Sequence, residues 1–347
     1  MSAGRPMWFA LSVVGAFGLF ASGRFAKATF GAGELVVFHA PHTVSRKVAP
    51  LTANITGRWT GDGPIRYRIG AAPWRILDPV GPRMPHPFFA IELDAADLDE
   101  HGENLLVIEA GTRREEVRFR YDSAPPELPK TVDFGTVQGR DLEAQDGVWE
   151  TIEVDGEWRV RPVPGSEDYD RLLAVSPAFR GGRRVECDML LRRATQPDQL
   201  FGVGILPYWG GHPDEPGVRP RRGWSFLVAW YYSKYGAIGM EFSHKHAGEP
   251  WKWIQSYRNE VMRPGVVYRV ITECWAERDA SGTVLRHRGR MKFFERGAEG
   301  STTWHELADR PGGELVEDEF CVALVAHRCQ AEFGKVTITA LPDVTVE

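Results

Sequence analysis

The chain has 347 residues, of which 43% are hydrophobic and 26% charged, and its formal net charge is -5. This length predicts two domains, and these fractions exclude wholesale disorder, a collagenous repeat and a polytopic membrane protein. The acidic balance also argues against a nucleic-acid binder. Tryptophan is unusually frequent: the chain has 12 Trp, compared with 7 Met and 4 Cys. Because Trp combines a flat apolar face with one N–H donor, it suits both sheet cores and surfaces that stack on sugars.

The amino-terminal segment, residues 1–28, predicts export. Arg5 precedes an apolar run from Met7 to Ala21, and small residues follow the run. This order is typical of a secretory signal peptide. An uncleaved membrane anchor is the alternative, because the run approaches the roughly 17 residues that span a bilayer. Either interpretation predicts a secreted, periplasmic or cell-surface protein.

Residues 34–122 alternate apolar and polar side chains in short bursts. Ala53, Ile55 and Trp59 fall on one side of their run, which is the pattern of a strand with one buried face. About seven such strands predict a small β-sandwich. The successive segments NITGRW, IRYRIGAAPWR and FFAIELDAADLDEHGENLLVIEA resemble the immunoglobulin-like or fibronectin-like modules of bacterial extracellular enzymes and adhesins. The resemblance implies a spacer or packing partner without chemistry of its own.

A Pro-rich linker, residues 123–130, leads to a second domain, residues 131–347, in which strands alternate with turns and no convincing amphipathic helix is found. So many strands in one domain predict two stacked sheets, a jelly roll. Asp155-Gly156 predicts the tight turn of a hairpin. The hairpin tryptophans Trp149 and Trp158, with the segments RRVECDMLL, FGVGILPYWGGH and CVALVAHRCQAEFGKVTI, resemble a concanavalin A-like lectin/glucanase domain of the laminin-G-like kind.

The two resemblances together imply an all-β chain, with a small immunoglobulin-like β-sandwich followed by a larger concanavalin A-like jelly roll. One departure concerns the closing strand, where the F-D-N-V of that family is replaced by Phe333-Gly334-Lys335-Val336. This change removes an acidic side chain, so structural calcium is not indicated there. No cofactor and no metal site are predicted, since neither a phosphate-binding loop nor a metal-ligand spacing is found.

Aromatic residues concentrate between positions 207 and 257. Alternation predicts that Trp224, Phe226, Val228, Trp230 and Tyr232 share one face of a strand. Such a row could stack on sugar rings, or it could be core between two sheets. The residues predicted to bind ligand are Trp209, His212, Trp224, Trp230, Tyr232, Trp251, Trp253 and Arg171.

Catalytic residues are less clearly indicated. Glu186 and Asp188 share a strand face, as a glycosidase carboxylate pair would, but Leu191 occupies the third acidic position of the E-x-D-x-x-E strand of jelly-roll glucanases. Alternatively, the two acids form ion pairs with arginines such as Arg171, Arg183 or Arg192. His244 and His246, with Tyr257, are weaker candidates for a lyase.

The leading hypothesis is an exported protein that binds a poly- or oligosaccharide without cleaving it. An excess of three positive charges between residues 180 and 222 makes an acidic glycan a candidate ligand. A glycoside hydrolase or lyase on the same fold is the alternative, and a protein-interaction module of the cell envelope is the second. Nucleic acid is not a predicted partner, and a membrane contact is predicted only through an N-terminal anchor. The cysteines either pair as disulfides or are buried thiols: Cys187, Cys274, Cys321 and Cys329.

Overall fold

The computed structural model describes residues 33–47, 52–77, 86–99, 101–137, 142–167, 169–195, 199–212, 220–244, 252–298, 303–309 and 319–346. The predicted signal peptide or anchor lies outside this part of the chain. Within it, no helix is long and apolar enough to cross a membrane. The described residues form β-strands, with one short 3-10 helix at Ala95–Asp97. The prediction of an all-β fold is confirmed.

Two sheets form the small sandwich. Its strands are β1 (Leu35–His39), β2 (Thr43–Ser45), β3 (Thr52–Trp59), β4 (Ile65–Ile69), β5 (Arg75–Leu77), β6 (Phe88–Asp94), β7 (Glu103–Ala110) and β8 (Arg113–Asp122). One sheet has the order β1-β3-β6 and the other β2-β8-β7-β4-β5. Alternate residues of both sheets fill one apolar core. Assignment of this unit to the immunoglobulin-like class stays a prediction.

Two larger sheets form the second sandwich. Its strands are β9 (Lys130–Val132), β10 (Glu143–Asp146), β11 (Trp149–Val154), β12 (Glu157–Pro162), β13 (Arg171–Ala174), β14 (Phe179–Arg180), β15 (Gly182–Ala194), β16 (Gly202–Trp209), β17 (Phe226–Tyr232), β18 (Ala237–His244), β19 (Lys252–Arg258), β20 (Val267–Arg278), β21 (Val284–Glu295), β22 (His305–Ala308), β23 (Glu319–His327), β24 (Cys329–Leu341) and β25 (Val344–Thr345). The eight-stranded sheet follows the order β10-β13-β23-β16-β17-β18-β19, with β14 also paired to β23. The nine-stranded sheet follows the order β11-β12-β24-β15-β20-β21-β22, with β9 also paired to β24 and β25 to β20. The main core lies between them.

The predicted hairpin turn is confirmed. Asp155 and Gly156 join β11 to β12 and both have positive φ, 54° and 77°. A two-residue turn of this kind matches the twist of the strands that it connects, and Gly adopts the conformation at little cost.

A second apolar cluster covers the outward side of the eight-stranded sheet. It includes Trp209, Trp224, Val228 and Trp230. The predicted alternation is wrong at Phe226, whose φ is 91° and whose ring lies in the core between the sheets, stacked on Phe320 at 4.4 Å. The positive φ reverses the side chain, so the outward row of β17 is interrupted at its first residue.

Strand β3 is buried on both faces because one face packs against the larger sandwich. On that face the Asn54 amide donates to the Gln145 carbonyl at 2.5 Å. His39, which contacts Thr56, lies 2.8 Å from the Trp149 carbonyl through Nε2, and burial lowers its pKa to about 4. The small sandwich is therefore fixed to the larger one through buried polar contacts.

The four cysteines are free thiols and all are buried. Burial raises the pKa of the Cys274 thiol to about 12. Of the two alternatives for the cysteines, the structure supports buried thiols, which behave as small apolar side chains.

Candidate functional site

The outward side of β17, β18 and β19 carries a continuous group of aromatic rings, here termed the aromatic face. Its members are Trp224, Trp230, Tyr232, Tyr235, Trp253 and Tyr257. Trp230 stacks on Tyr232 with 4.5 Å between ring centroids and 16° between planes. Tyr235, in the turn after β17, lies 4.3 Å from Tyr257. The structure therefore brings together rings from β17 and β19, from the turn after β17 and from the segment just before β17.

Glycines on neighbouring strands leave room for these rings. A Cβ added at Gly202 would lie 2.8 Å from the Trp230 ring, and one added at Gly204 would lie 2.3 Å from Trp230 Cβ. A Cβ added at Gly239 would lie 2.6 Å from the Tyr257 ring. Because these outward positions of β16 and β18 carry no side chain, the rings of Trp230 and Tyr257 can pack directly against the backbone of the sheet.

Burial divides the residues predicted to bind ligand into two groups. Trp209, His212, Trp224 and Trp230 are buried, and Trp209 and Trp230 expose only 1% and 5% of their surface. A ring buried to this extent has no free face for a sugar. Trp253, by contrast, is 50% exposed, and Tyr232 is half-buried.

His212 is buried and connects the segment after β16 to the segment before β17. Its Nδ1 lies 2.8 Å from the Gly223 carbonyl oxygen, and its ring edge meets Trp209 at 5.3 Å. Backbone hydrogen bonds between residues 210–211 and Ser225 also join the segment after β16 to the segment before β17. Burial lowers the pKa of His212 to about 4, so the ring is neutral at neutral pH. We therefore assign His212 a structural role at the base of the aromatic face.

Arg171 is not part of the aromatic face. Its guanidinium is buried and donates to Asp146 at 2.7 Å and to the Ser166 carbonyl at 2.6 Å. A buried guanidinium held in this way stabilises the loop before β13 and has no surface for a ligand.

Glu241 is the carboxylate of the aromatic face. The Tyr257 hydroxyl donates to it, and the Trp230 indole N–H donates to the Tyr257 oxygen at 3.0 Å. Burial raises the pKa of Glu241 to about 7, against the smaller opposing effects of Trp230 and Lys234. The carboxyl group is therefore partly protonated at neutral pH and can both donate and accept hydrogen bonds.

A basic corner adjoins the aromatic face. The guanidinium groups of Arg222 and Arg328 lie 4.9 Å and 5.1 Å from the centroid of the Tyr169 ring, which is 37% exposed. His327 contacts the same ring at 4.8 Å, and its Nδ1 lies 2.8 Å from the Asp170 carboxylate. Tyr232 lies 6.2 Å from His327 and connects the corner to the aromatic face.

The predicted catalytic acids lie on the other sheet. Glu186 and Asp188 alternate with the core residues Val185 and Cys187, so both point outward from the nine-stranded sheet. Glu186 accepts from Arg184 at 2.7 Å, and Asp188 accepts from Arg269 at 2.8 Å. Ion pairing is thus the observed state, but the expected partners Arg171, Arg183 and Arg192 are wrong: Glu186 pairs with an arginine two residues earlier on the same face of β15, and Asp188 pairs with one directly opposite on β20.

Other predicted residues lie outside the described part of the chain. These are His246, Trp251 and the side chain of His244, whose backbone ends β18. Within the described residues, no group of His, Cys, Asp or Glu is arranged to hold a metal ion.

The sequence did not indicate Tyr169, Arg328 and His327 as members of this surface. They come from β23, from the residue that follows it and from the loop before β13. The sequence did contain one indication of this surface, namely glycines within two strands: Gly202 and Gly204 on β16, and Gly239 on β18. Glycine inside a strand often marks a place where another group approaches the backbone closely.

No protein-family model and no curated protein matches the sequence. Solved structures with a similar course of strands include carbohydrate-binding module CBM66 from Bacillus subtilis, at 14% identity over 57% of this chain and 95% of that chain, with a TM-score of 0.34. An endo-β-1,4-glucuronan lyase from Trichoderma reesei is 10% identical over 56% and 87% of the two chains, with a TM-score of 0.37. A glycoside hydrolase family 16 endo-glucanase from Bacteroides ovatus is 7% identical over 61% and 93%, with a TM-score of 0.32. Similarity at this level assigns neither ligand nor activity.

Proposed function

We propose that the aromatic face binds a poly- or oligosaccharide without cleaving it. The observation that carries the proposal is the adjacency of accessible rings, Trp253, Tyr235, Tyr257 and Tyr232, with the exposed amide of Gln255 among them, whose oxygen accepts from the Tyr235 hydroxyl at 2.7 Å. Sugar rings present apolar C–H faces that stack on aromatic side chains, while their hydroxyls need hydrogen-bonding groups between the stacking positions.

We further propose that the ligand is acidic. Arg222 and Arg328 flank Tyr169, and neither has a carboxylate partner among the described residues. Guanidinium groups bind carboxylates and sulfates through paired N–H donors. A uronate or sulfate group beside the stacked sugar would therefore be bound at the basic corner.

The positions around Glu241 favour binding over hydrolysis. A glycosidase of the common type needs a second carboxylate at about 5–9.5 Å. The flanking outward positions on β17, β18 and β19 are Val228, Trp230, Gly239, Ser243, Trp253, Gln255 and Tyr257, and none of these is acidic. Asp170 precedes β13, four strands from β18, which at about 4.8 Å per strand is roughly 19 Å.

An enzyme is the second candidate function, and Glu241 is the observation that favours it. A carboxyl group with a pKa of about 7, bound to the Tyr257 hydroxyl, has the protonation behaviour of a general acid or base. Assays for new reducing ends and for the ultraviolet absorbance of an unsaturated product would detect a hydrolase and a lyase. In an enzyme, Glu241→Gln would abolish turnover and retain binding.

Isothermal titration calorimetry with neutral glucans, polygalacturonate and alginate tests whether the protein binds a glycan and whether it prefers an acidic one. We expect Trp253→Ala to weaken binding at least about tenfold, because a stacking ring contributes about 1.4 kcal/mol or more. Arg328→Ala should weaken binding of the acidic glycans selectively. Trp74→Ala, which removes an exposed Trp from the small sandwich, is the matched control. Equal affinity of wild type and Trp253→Ala would contradict the proposal.

The proposal includes export, because extracellular glycans are the ligands considered. The apolar run from Met7 to Ala21 supports a leader segment. Mass spectrometry of the mature amino terminus, in cells that express the full chain, distinguishes a cleaved signal peptide from a retained anchor. Recovery of the intact chain in the cytosolic fraction would contradict export.

A further inference from the structure

A cavity lies on the outward side of the nine-stranded sheet, away from the aromatic face. Its volume is about 340 Å³, and β12, β15, β20 and β24 contribute to its walls. Small-molecule sites usually fall between roughly 300 and 1,000 Å³, so the cavity has the size of a small site. Gly334 lines it, and a Cβ added there would lie 3.2 Å from Asp188 Cβ. The glycine that replaces the expected acidic residue of the closing strand therefore keeps this cavity open.

Trp158 stands at the rim of the cavity. Its side chain is 42% exposed, and its ring packs against Gly135, where an added Cβ would lie 2.5 Å from Trp158 Cδ1. Among the described residues no other ring and no cation stacks on it. An indole is a large apolar surface to leave in water, and this one lies on a paired position of the β11–β12 hairpin, opposite Glu153.

Charged side chains that line the same cavity as Trp158 form a network of hydrogen bonds and ion pairs. Asp188 accepts from Arg269 at 2.8 Å and 3.1 Å and from Arg296 at 3.3 Å. Arg296 also donates to Glu157 at 2.9 Å. Groups that are locked by one another lose little conformational entropy when a ligand binds, so the network is preorganised.

The charges that line the cavity balance. The acids are Asp133, Glu157, Asp188 and Glu332, and the bases are Arg159, Arg269, Arg296 and Lys335. A balanced lining offers no net attraction to an ion, but it offers both donors and acceptors to a ligand with many hydroxyls. Because Arg296 holds the pKa of the Glu157 carboxyl below its usual value, that carboxyl is not a proton donor near neutral pH. The lining thus suits recognition rather than acid catalysis.

We propose that this cavity binds one unit of a neutral saccharide, which stacks on Trp158 while Arg296, Asp188 and Lys335 hydrogen-bond to its hydroxyls. The site is separate from the aromatic face and differs from it in charge. A chain with both sites would contact a neutral and an acidic sugar on opposite sides of one sandwich.

The test uses the full chain with maltose, cellobiose and xylobiose as probes, each raised to about 50 mM, since isolated sugar sites bind in the millimolar range. The indole N–H resonance of Trp158, assigned from its loss in Trp158→Ala, is followed by NMR where Trp158 is present, and the backbone amide resonance of Gly334, which lines the cavity, reports binding in every variant. We expect at least one probe to shift this resonance saturably. Trp158→Ala should weaken binding at least about tenfold. Trp158→Tyr should retain part of it, because a flat ring remains.

Two variants separate this site from other causes. Trp74→Ala removes another exposed Trp that lies beside arginines, and it should leave affinity for the probes unchanged. In Trp253→Ala the Trp158 resonance should shift over the same range of probe concentration as in the wild type, which distinguishes this cavity from the aromatic face. The proposal is overturned if no probe shifts the Trp158 resonance, or if Trp158→Ala binds as tightly as the wild type with its circular dichroism unaltered.

Discussion

Glu241 provides the sharpest test of the structure, because its burial has a calculable consequence for stability. Burial raises the pKa of its carboxyl from 4.5 to about 7 in the folded chain. The folded state therefore binds a proton more tightly than the unfolded state does. Stability must consequently fall as pH rises from about 4.5 to about 7, and then remain level with respect to this group.

The magnitude follows from the size of the pKa shift. A shift of about 2.5 units corresponds to roughly 3 kcal/mol in total. Between about pH 5 and about pH 8 the loss in the free energy of unfolding should be about 2.5 kcal/mol, since part of the penalty is already present at the lower pH. Glu241→Gln removes the titrating group and should lack this component.

Urea titrations of wild type and Glu241→Gln at the two pH values measure the effect. Only the difference between the two proteins is used, because other groups titrate equally in both. The matched control is Glu115→Gln, an exposed carboxylate on β8, which should not alter the pH dependence. The same pH dependence in wild type and Glu241→Gln would refute the burial of this carboxyl in the folded state.

Three further outcomes are expected. Gly204→Ala should lower the free energy of unfolding by about 1–3 kcal/mol, because its Cβ would meet Trp230 Cβ and the backbone at 2.3–2.4 Å; Gly334→Ala, with a contact of 3.2 Å, should cost less in the same urea titration, and equal costs would contradict the packing. Glu92, buried on β6, accepts both from the Arg221 backbone N–H and from its guanidinium at 2.5 Å. Glu92→Gln should destabilise the chain by about 3 kcal/mol by leaving that guanidinium less compensated, and a thermal shift no larger than that of Glu115→Gln would show that the contact is not formed. The thiols should not react with Ellman's reagent until the protein is unfolded, and dithiothreitol should leave Tm unchanged; fewer than four thiols in urea, or a lower Tm with dithiothreitol, would reveal a disulfide in the set Cys187, Cys274, Cys321 and Cys329.

The alternation of apolar and polar residues was sufficient to predict strands, but it did not show which side chains are exposed. Ala53, Ile55 and Trp59 are predicted and observed on one buried side of a strand, β3, because alternation reports which side of a strand meets apolar neighbours. The same rule failed at Phe226, where one positive φ redirects the ring. It also could not show that Asn54 and Thr56 are buried, since their partners lie more than ninety residues away or on another strand.

In the aromatic region, too, the sequence predicted some features and left others undetermined. Clustering of Trp in the sequence correctly indicated one region, and Trp253 is exposed there as a ligand-binding ring must be. The sequence did not distinguish Trp253 from Trp209, because the pattern of one strand gives no account of what covers its outward side. Tyr169 and His327 reach this surface from distant parts of the chain.

By itself, then, the sequence determined an all-β chain, the burial of Ala53, Ile55 and Trp59 on one side of a strand, the tight turn at Asp155-Gly156 and the concentration of aromatic residues. These features depend on periodicity and on backbone preferences, which act over a few residues. Only the tertiary structure decided which rings are accessible, which arginines pair with Glu186 and Asp188, and which carboxyl group titrates near neutrality. Exposure, ion pairing and desolvation depend on residues brought together by sheet order, and that order joins positions far apart in the chain.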